Sequence, residues 1–488
     1  MTKTKSKDFL NLGALLAGIL SFVFMLWVNP FELDSLGSST LAVAVLMVVL
    51  WVSEALPMAV VAFLPLILFP LLGINSLKTT AVSYGDSIIF LFMGGFMIGL
   101  AIEKWNLHTR IALNIIRITG TSGDKIVLGF IFSTGFLSMW LSNTATTMMM
   151  FPIATSIIHV VTENRQGEGN IKNFSLAIML SIAYASNFAG ISTIIGTPPN
   201  VAFASFIKEK YDYSIGFADW MIICAPISLL LLISLYIVLT KWLYPNRMKK
   251  DLATRELIRT KIDQLGPLKA TEKRVLVIFV STALLWIFKD LVNAIGWIKL
   301  DDTIIAMLGA LALFICPAGS IMESRRILEW SDTSRMAWGI LYLFGGGIAL
   351  AGALEKAGLI ERMGSWIAGM SGADGGIMLI FVVALFSIFI SEMMSNIAQV
   401  IVFSPVMAGI ADAMGINPLL LGFPMALAAS CASMMPMGTP PNAIAFASGH
   451  IKMGQMVKAG FVMNIIAIIL ITLFSYYVIP ILIPTVGK

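Results

Sequence analysis

The chain has 488 residues, 58% hydrophobic and only 12% charged, with a formal net charge of +5 and a mean hydropathy of +0.90. No soluble globular protein has that balance, and apolar runs of about twenty residues recur from end to end, which also excludes a soluble domain on a single anchor. The positive surplus sits in loops, as the positive-inside rule expects, and is not a nucleic-acid footprint.

Lys3, Lys5 and Lys7 precede the first apolar run, 9–29. No small-residue cleavage pattern follows Val28, so this run reads as a retained first helix behind a cytoplasmic N-terminus. Apolar runs follow at 37–53, 57–73 and 87–102. Residues 103–124, with Glu103, Lys104, His108, Arg110 and Arg117 among apolar neighbours, predict an amphipathic helix at the cytoplasmic interface. A double segment fills 125–161, an interrupted run 174–208, and a further span 218–240.

The stretch 241–274 is polar and rich in Lys and Arg, among them Lys249, Lys250, Arg255, Arg259 and Arg274, and reads as a cytoplasmic linker. The second half then gives runs at 275–290, 303–317 and 337–354, an interfacial counterpart at 355–373, and a double segment at 376–415. An interrupted run at 418–447 and a last run at 459–484 complete it. If each double segment enters and leaves on one side, six spans precede the linker and five follow, which places Lys488 outside. Hydropathy leaves open whether a double segment crosses fully twice or enters halfway and returns.

The halves match. Phe92-Met93-Gly94-Gly95 corresponds to Phe344-Gly345-Gly346-Gly347 at an offset of 252, and Ser142-Asn143 to Ser395-Asn396 at 253. Thr197-Pro198-Pro199-Asn200 corresponds to Thr439-Pro440-Pro441-Asn442 at 242. Five spans, an odd number, separate equivalent points, so the repeats are inverted relative to each other. This divides the chain into 1–36 (N-terminus and first helix), 37–240 (first repeat), 241–274 (linker) and 275–488 (second repeat).

A Pro-Pro step removes two N–H donors and breaks a helix. In lipid such a break survives only where protein or a water-filled cavity satisfies the freed backbone. The same break in matching halves is the sequence sign of a secondary transporter with its site at the repeat interface. Ser138 and Ser142 are four apart and share a helix face, next to Asn143 and Thr144. Their oxygens, with the carbonyls freed near Gly196, suit a small hard cation such as Na+. The second copy offers Ser391, Ser395, Asn396 and Gly438. Ile397 stands where the first copy has Thr144, so the sites are chemically unequal, the second weaker or altered. The half-helix N-termini at each break point N–H groups at an anion.

Intramembrane charges are few. Glu392 adjoins the second site and is a candidate to bind a proton or tune the cation, while Glu54 precedes Pro57 and caps a helix end. His108, His159 and His450 have no metal spacing, and Cys224, Cys316 and Cys431 lie far apart as small packing residues. An intramembrane enzyme would need a nucleophile with its base, paired Asp or a His-rich metal site, and none is present. Inverted broken helices favour alternating access over a channel.

Ser-Asn-Thr at a hairpin tip, Gly-Thr-Pro-Pro-Asn in the following helix, and a repeat of both resemble the divalent anion/Na+ symporters. The run from Gly438 to His450 is similar to the sodium-coupled dicarboxylate branch of that family. The resemblance covers nearly all of the chain. It implies an all-α polytopic membrane protein of about eleven transmembrane helices plus two re-entrant helical hairpins in two inverted repeats. It further implies a homodimer in the plasma membrane that works as an elevator, with scaffolds at 37–102 and 275–354 and transport parts at 125–208 and 376–447. It puts one Na+ on Ser138, Ser142, Asn143 and the Gly196 region, and a second on Ser391, Ser395, Asn396 and the Gly438 region. Substrate carboxylates would meet Asn143, Thr144, Thr197, Pro198, Asn396, Thr439 and Pro440, with Ile397 departing from the expected Thr. The leading reading is Na+-coupled symport of C4-dicarboxylates such as succinate, malate or fumarate, with a sodium-independent exchanger of the same fold as the alternative.

Overall fold

Thr197 and Thr439 mark the places where two buried helices stop and restart. A computed structural model of the chain describes residues 2–164, 170–248, 252–296, 298–319, 325–362, 364–365 and 376–482. Among these, one isolated bridge between Pro317 and Arg326 is the only β pairing, and the rest of the regular structure is helical.

The first half runs α1 (Thr2–Val28), α2 (Ser35–Ser53), α3 (Met58–Val61), α4 (Leu64–Leu71), α5 (Leu77–Val82), α6 (Ser87–Lys104) and α7 (Leu107–Thr119). Then come α8 (Gly123–Ser138) and α9 (Asn143–Asn164), the broken pair α10 (Ile171–Gly190) and α11 (Pro198–Tyr211), and α12 (Phe217–Ile237), prolonged by a π-helical turn to Leu243. A polar helix α13 (Leu252–Leu265) lies in the basic linker. The second half runs α14 (Ala270–Ile287), α15 (Lys289–Ala294), α16 (Asp302–Ile315) and α17 (Trp338–Lys356). It ends with the hairpin α18 (Ile377–Ser391) and α19 (Asn396–Met414), the broken pair α20 (Leu419–Ala429) and α21 (Pro440–Ala447), and α22 (Met453–Tyr477) with α23 (Ile479–Leu482).

Seven helices are long and apolar enough to cross a membrane among the described residues, and five shorter apolar helices accompany them. The short ones include α16 and α18, and α20, whose run is cut at its break. The chain is therefore a polytopic helical membrane protein. α1 packs along α2, α6 along α16, and α17 against α2, α3 and α4. A Cβ on Gly94 of α6 would stand 2.7 Å from the backbone carbon of Ala306, and one on Gly346 of α17 would stand 2.5 Å from the Ala62 carbonyl oxygen. These helices approach so closely only because no side chain intervenes.

Each hairpin packs against the broken helix that follows it, α8 on α10 and α18 on α20. Contacts also cross between the halves, α9 and α10 meeting α21, and α11 meeting α19. The helix α7 lies against α8 and α13. Arg110 fastens it to the linker through Glu272 at 2.9 Å and the carbonyls of Leu265 and Gly266 at 3.1 and 3.0 Å. Of the proposed counterpart at 355–373, residues 363 and 366–373 lie outside the described residues, as do 483–488.

Candidate functional site

The hairpin tips and the helix breaks of both halves line a single cavity of about 1070 Å³. Ser142, Asn143, Thr144, Thr197 and Pro198 come from the first half, and Ser395, Asn396, Ile397, Gly438, Thr439 and Pro440 from the second. Ser138 and Ser391 do not line the cavity; they sit buried one turn behind the tips. Gly196 likewise lies in the wall rather than on its surface.

The two tips are built alike. Ser138 Oγ lies 2.7 Å from Asn143 Oδ1 and 2.9 Å from the Ser186 carbonyl. Ser391 Oγ lies 2.7 Å from Asn396 Oδ1 and 2.5 Å from the Ala429 carbonyl. A hydroxyl has one proton and here faces two acceptors, so at Ser138 and at Ser391 one acceptor oxygen is left without that proton. Neutral oxygens so placed are of the type that a hard cation prefers. At the first tip, oxygens press against two glycines. A Cβ on Gly190 would stand 2.4 Å from Asn143 Oδ1, and one on Gly196 would stand 2.4 Å from the Gly190 oxygen and 3.1 Å from the Ser138 oxygen. Neutral oxygens thus crowd both glycines, and a side chain at either would collide with them.

The breaks are tied by the last residue of each tetrapeptide. Asn200 Nδ2 donates to the carbonyls of Gly190 and Thr193 at 3.1 and 2.8 Å. Asn442 Nδ2 donates to those of Ala432 and Met435 at 3.4 and 3.1 Å. Both asparagines are fully buried, and their amides replace the helix bonds that the prolines cannot supply. Sequence reasoning quoted both residues within their motifs but gave them no role. It also passed over Asn187, a buried residue of α10 that lines the cavity and donates to Thr439 Oγ1.

Four helix N-termini open on the cavity, those of α9, α11, α19 and α21. Ser142 Oγ accepts from Ala145 N at 3.2 Å and Thr439 Oγ1 from Asn442 N at 3.4 Å, which leaves other first-turn N–H groups free for an anion. The sequence reading has no basic residue beside the tips; the cavity does reach one arginine, the exposed Arg335, together with Glu54 and Glu103. Among the described residues no cluster of three His, Cys, Asp or Glu could hold a transition metal.

The sequence matches the family model described as the sodium:sulfate symporter transmembrane region over residues 6–483. A sodium-dependent dicarboxylate transporter of Staphylococcus saprophyticus, SdcS, is 38% identical over 485 residues, covering 98% of this chain and 93% of that protein. The protein of the same name from Staphylococcus aureus strain USA300 is 39% identical over 475 residues, covering 96% and 91%. Among solved structures, the YdaH transporter of Alcanivorax borkumensis matches with a TM-score of 0.56 at 11% identity, over 82% of this chain and 86% of that one. MtrF of Neisseria gonorrhoeae matches with a TM-score of 0.56 at 13% identity, over 84% and 85%; both show likeness of fold alone. The chain belongs to the sodium:sulfate symporter family, the divalent anion/Na+ symporters, and is a transporter and not an enzyme.

Proposed function

We propose that this protein is a secondary active transporter that couples Na+ to the uptake of C4-dicarboxylates such as succinate, malate or fumarate. The observation that carries this reading is the meeting of two acceptor-rich hairpin tips and four helix N-termini at one cavity. The tips suit cations and the N-termini suit a dianion, and their adjacency lets the charges cancel. The names of the staphylococcal relatives support the same cargo.

Ser138, Ser142, Asn143 and Gly196 hold the first Na+, and Ser391, Ser395, Asn396 and Gly438 the second. The carboxylates meet Asn143, Thr144, Thr197 and Pro198 on one side and Asn396, Ile397, Thr439 and Pro440 on the other. Two Na+ and a dianion bring in no net charge. A third cation would let the membrane potential drive uptake, at about 2.3 kcal/mol per charge per 100 mV.

The working cycle is an elevator in a homodimer. The inverted repeats run over 37–240 and 275–488, and eleven spans with two re-entrant hairpins put the N-terminus and the linker 241–274 in the cytoplasm. Glu54, Glu103 and Arg335 stand at helix ends that this topology puts on the cytoplasmic side, and their place in the cavity lining supports an inward-open state. The test is counterflow of labelled succinate in proteoliposomes, with and without Na+ and with tricarboxylates and sulfate as competitors. Na+-dependent counterflow competed by dicarboxylates is expected. Equal counterflow without Na+ would assign the protein as an exchanger instead.

A further inference from the structure

The two half-sites share their hydroxyls and amides but not their charge. Glu392 follows Ser391 at the C-terminal end of α18, where a helix disfavours an anion, and its side chain is 5% exposed. It turns across the second break. Its Oε1 accepts from the backbone N–H groups of Ser433 and Met434, both at 2.7 Å, and from Asn464 Nδ2 at 2.8 Å. Its Oε2 accepts only from Met435 N, at 2.9 Å. Four donors meet this carboxyl group, and among the described residues no Lys, Arg or His pairs with it. That is the surrounding of an ionised carboxylate held in place, because a protonated acid would need an acceptor for its own hydrogen.

Oε2 therefore keeps acceptor capacity, and it points the right way. A Cβ on Gly438 would stand 3.0 Å from Oε2. The first half has Met139 at the equivalent position, where its backbone oxygen accepts from Thr193 Oγ1. The first break is thus tied by neutral bonds, and the second by a full negative charge beside Gly438.

We infer that Glu392 is a built-in anion of the second cation half-site and makes it the tighter of the two. Ile397 takes one neutral hydroxyl from the substrate side of the same tip. A unit charge a few ångströms from a cation, away from bulk water, outweighs the loss of one neutral ligand. The direction of inequality is then opposite to the one that Ile397 alone suggests. Asn464 and the three N–H groups act on the cation only through Glu392, by fixing its carboxylate.

This inference rests on the Na+-coupled reading, and its test separates the two. The readout is the Na+ concentration that half-maximally raises the thermal unfolding temperature of purified protein, with choline replacing Na+, alongside the Na+ dependence of succinate uptake. Glu392→Gln is expected to raise that midpoint at least ten-fold. Asn464→Ala, which keeps the charge and removes one of its holders, is expected to move it by less than three-fold. Where Glu392→Gln does not fold, Glu392→Asp draws the oxygens back from Gly438 and is expected to give a smaller loss in the same direction. A wild-type midpoint in folded Glu392→Gln, no loss in Glu392→Asp, or an equal loss in Asn464→Ala overturns the inference while leaving Na+ coupling intact. A wild-type protein indifferent to Na+ in both assays overturns this inference and the proposed function together.

Discussion

The side-chain amide of Asn187 donates to Thr439 Oγ1 across 3.0 Å, so a residue of the first broken helix is bonded into the break of the second. The same amide reaches Asn442 Oδ1 at 3.3 Å. No equivalent bond runs the other way, because Ala429 occupies the position matching Asn187, and Asn200 Oδ1 is accordingly buried without a partner. Asn187→Ala is expected to lower the thermal unfolding temperature, since each buried acceptor left without a donor costs about 1–3 kcal/mol. It is also expected to cut kcat/KM for succinate uptake at least ten-fold, because Thr439 and Asn442 set the second break. A lower unfolding temperature with unchanged kcat/KM would make Asn187 a packing residue only.

The proposed sites make Asn143 the residue on which both cargoes converge. Its Oδ1 lies 2.7 Å from Ser138 Oγ and against Gly190, while the residue itself begins α9 at the cavity wall. Asn143→Ala is expected to abolish succinate uptake in proteoliposomes while insertion and dimer formation persist. Uptake near the wild-type rate from well-expressed protein would remove Asn143 from the site.

Much of this was legible because hydropathy and proline placement are local signals. The apolar runs anticipate the long apolar helices, though not the short or polar α5, α13 and α15, and Pro198 and Pro440 open the second halves of the broken helices as the sequence requires. The tips at Ser142-Asn143 and Ser395-Asn396 could be read because two copies agreed. Asn187 and Asn464 could not be. Each is a single polar residue in an apolar helix, and the partner that gives it meaning is 252 residues away for Asn187 and 72 for Asn464. Likewise nothing local says that Glu392 turns back toward Ser433, Met434 and Met435, because that choice is made by how α18 packs on α20. The linker shows the opposite fault: its charges hid the helix α13, whose apolar residues pack on α7.

Ile397 and Thr144 occupy equivalent places on the two tips, and both line the cavity. Ile397→Thr is expected to change the apparent affinity for succinate or Na+ more than Thr144→Ser does, by several-fold, because it adds a hydroxyl to a side chain that has none. Uptake titrations against each cargo measure it. Unchanged affinities in Ile397→Thr would mean that residue 397 lies against neither cargo.

His108 is expected to give α7 a pH dependence. The ring is buried, with Nδ1 3.3 Å from the Ile102 carbonyl, and burial lowers its pKa, opposed by that bond, which raises it. The neutral ring is the folded form. Its contribution to stability is present above the unfolded value of about 6.5 and is lost as pH falls through the lowered folded value. The unfolding temperature of the solubilised protein should therefore drop from about pH 6.5 downward, and His108→Gln should flatten that drop. Parallel curves for the two proteins would assign the acid sensitivity elsewhere.

The last prediction concerns movement. As proposed, both half-sites draw on a hairpin tip and on the break beside it, so shearing hairpin from broken helix would take the site apart in mid-cycle. Carrying 125–208 and 376–447 as one body keeps the anion beside its cations while they pass the low-dielectric barrier, where an unpaired charge is very costly. Two neighbouring lysines on α11 allow a test at one end of the site. Lys210 pairs with Asp412 of α19 at 3.0 Å, and Tyr211 donates to the same carboxylate at 2.8 Å, which ties the end of α11, just past residue 208, to the proposed moving body. Lys208 instead reaches Ser87 at 2.5 Å and Asp86 at 3.7 Å, at the start of α6 in the proposed scaffold. With Cys224, Cys316 and Cys431 replaced, cysteine pairs at 208 and 87 and at 210 and 412 are joined by a short bifunctional maleimide. The 208–87 link should stop uptake and release on reduction of a cleavable linker, whereas the 210–412 link should leave turnover within about two-fold, since no relative motion is asked of it. If the 208–87 link leaves turnover intact, α11 does not move past α6, and the carrier must work by local gating around a fixed site.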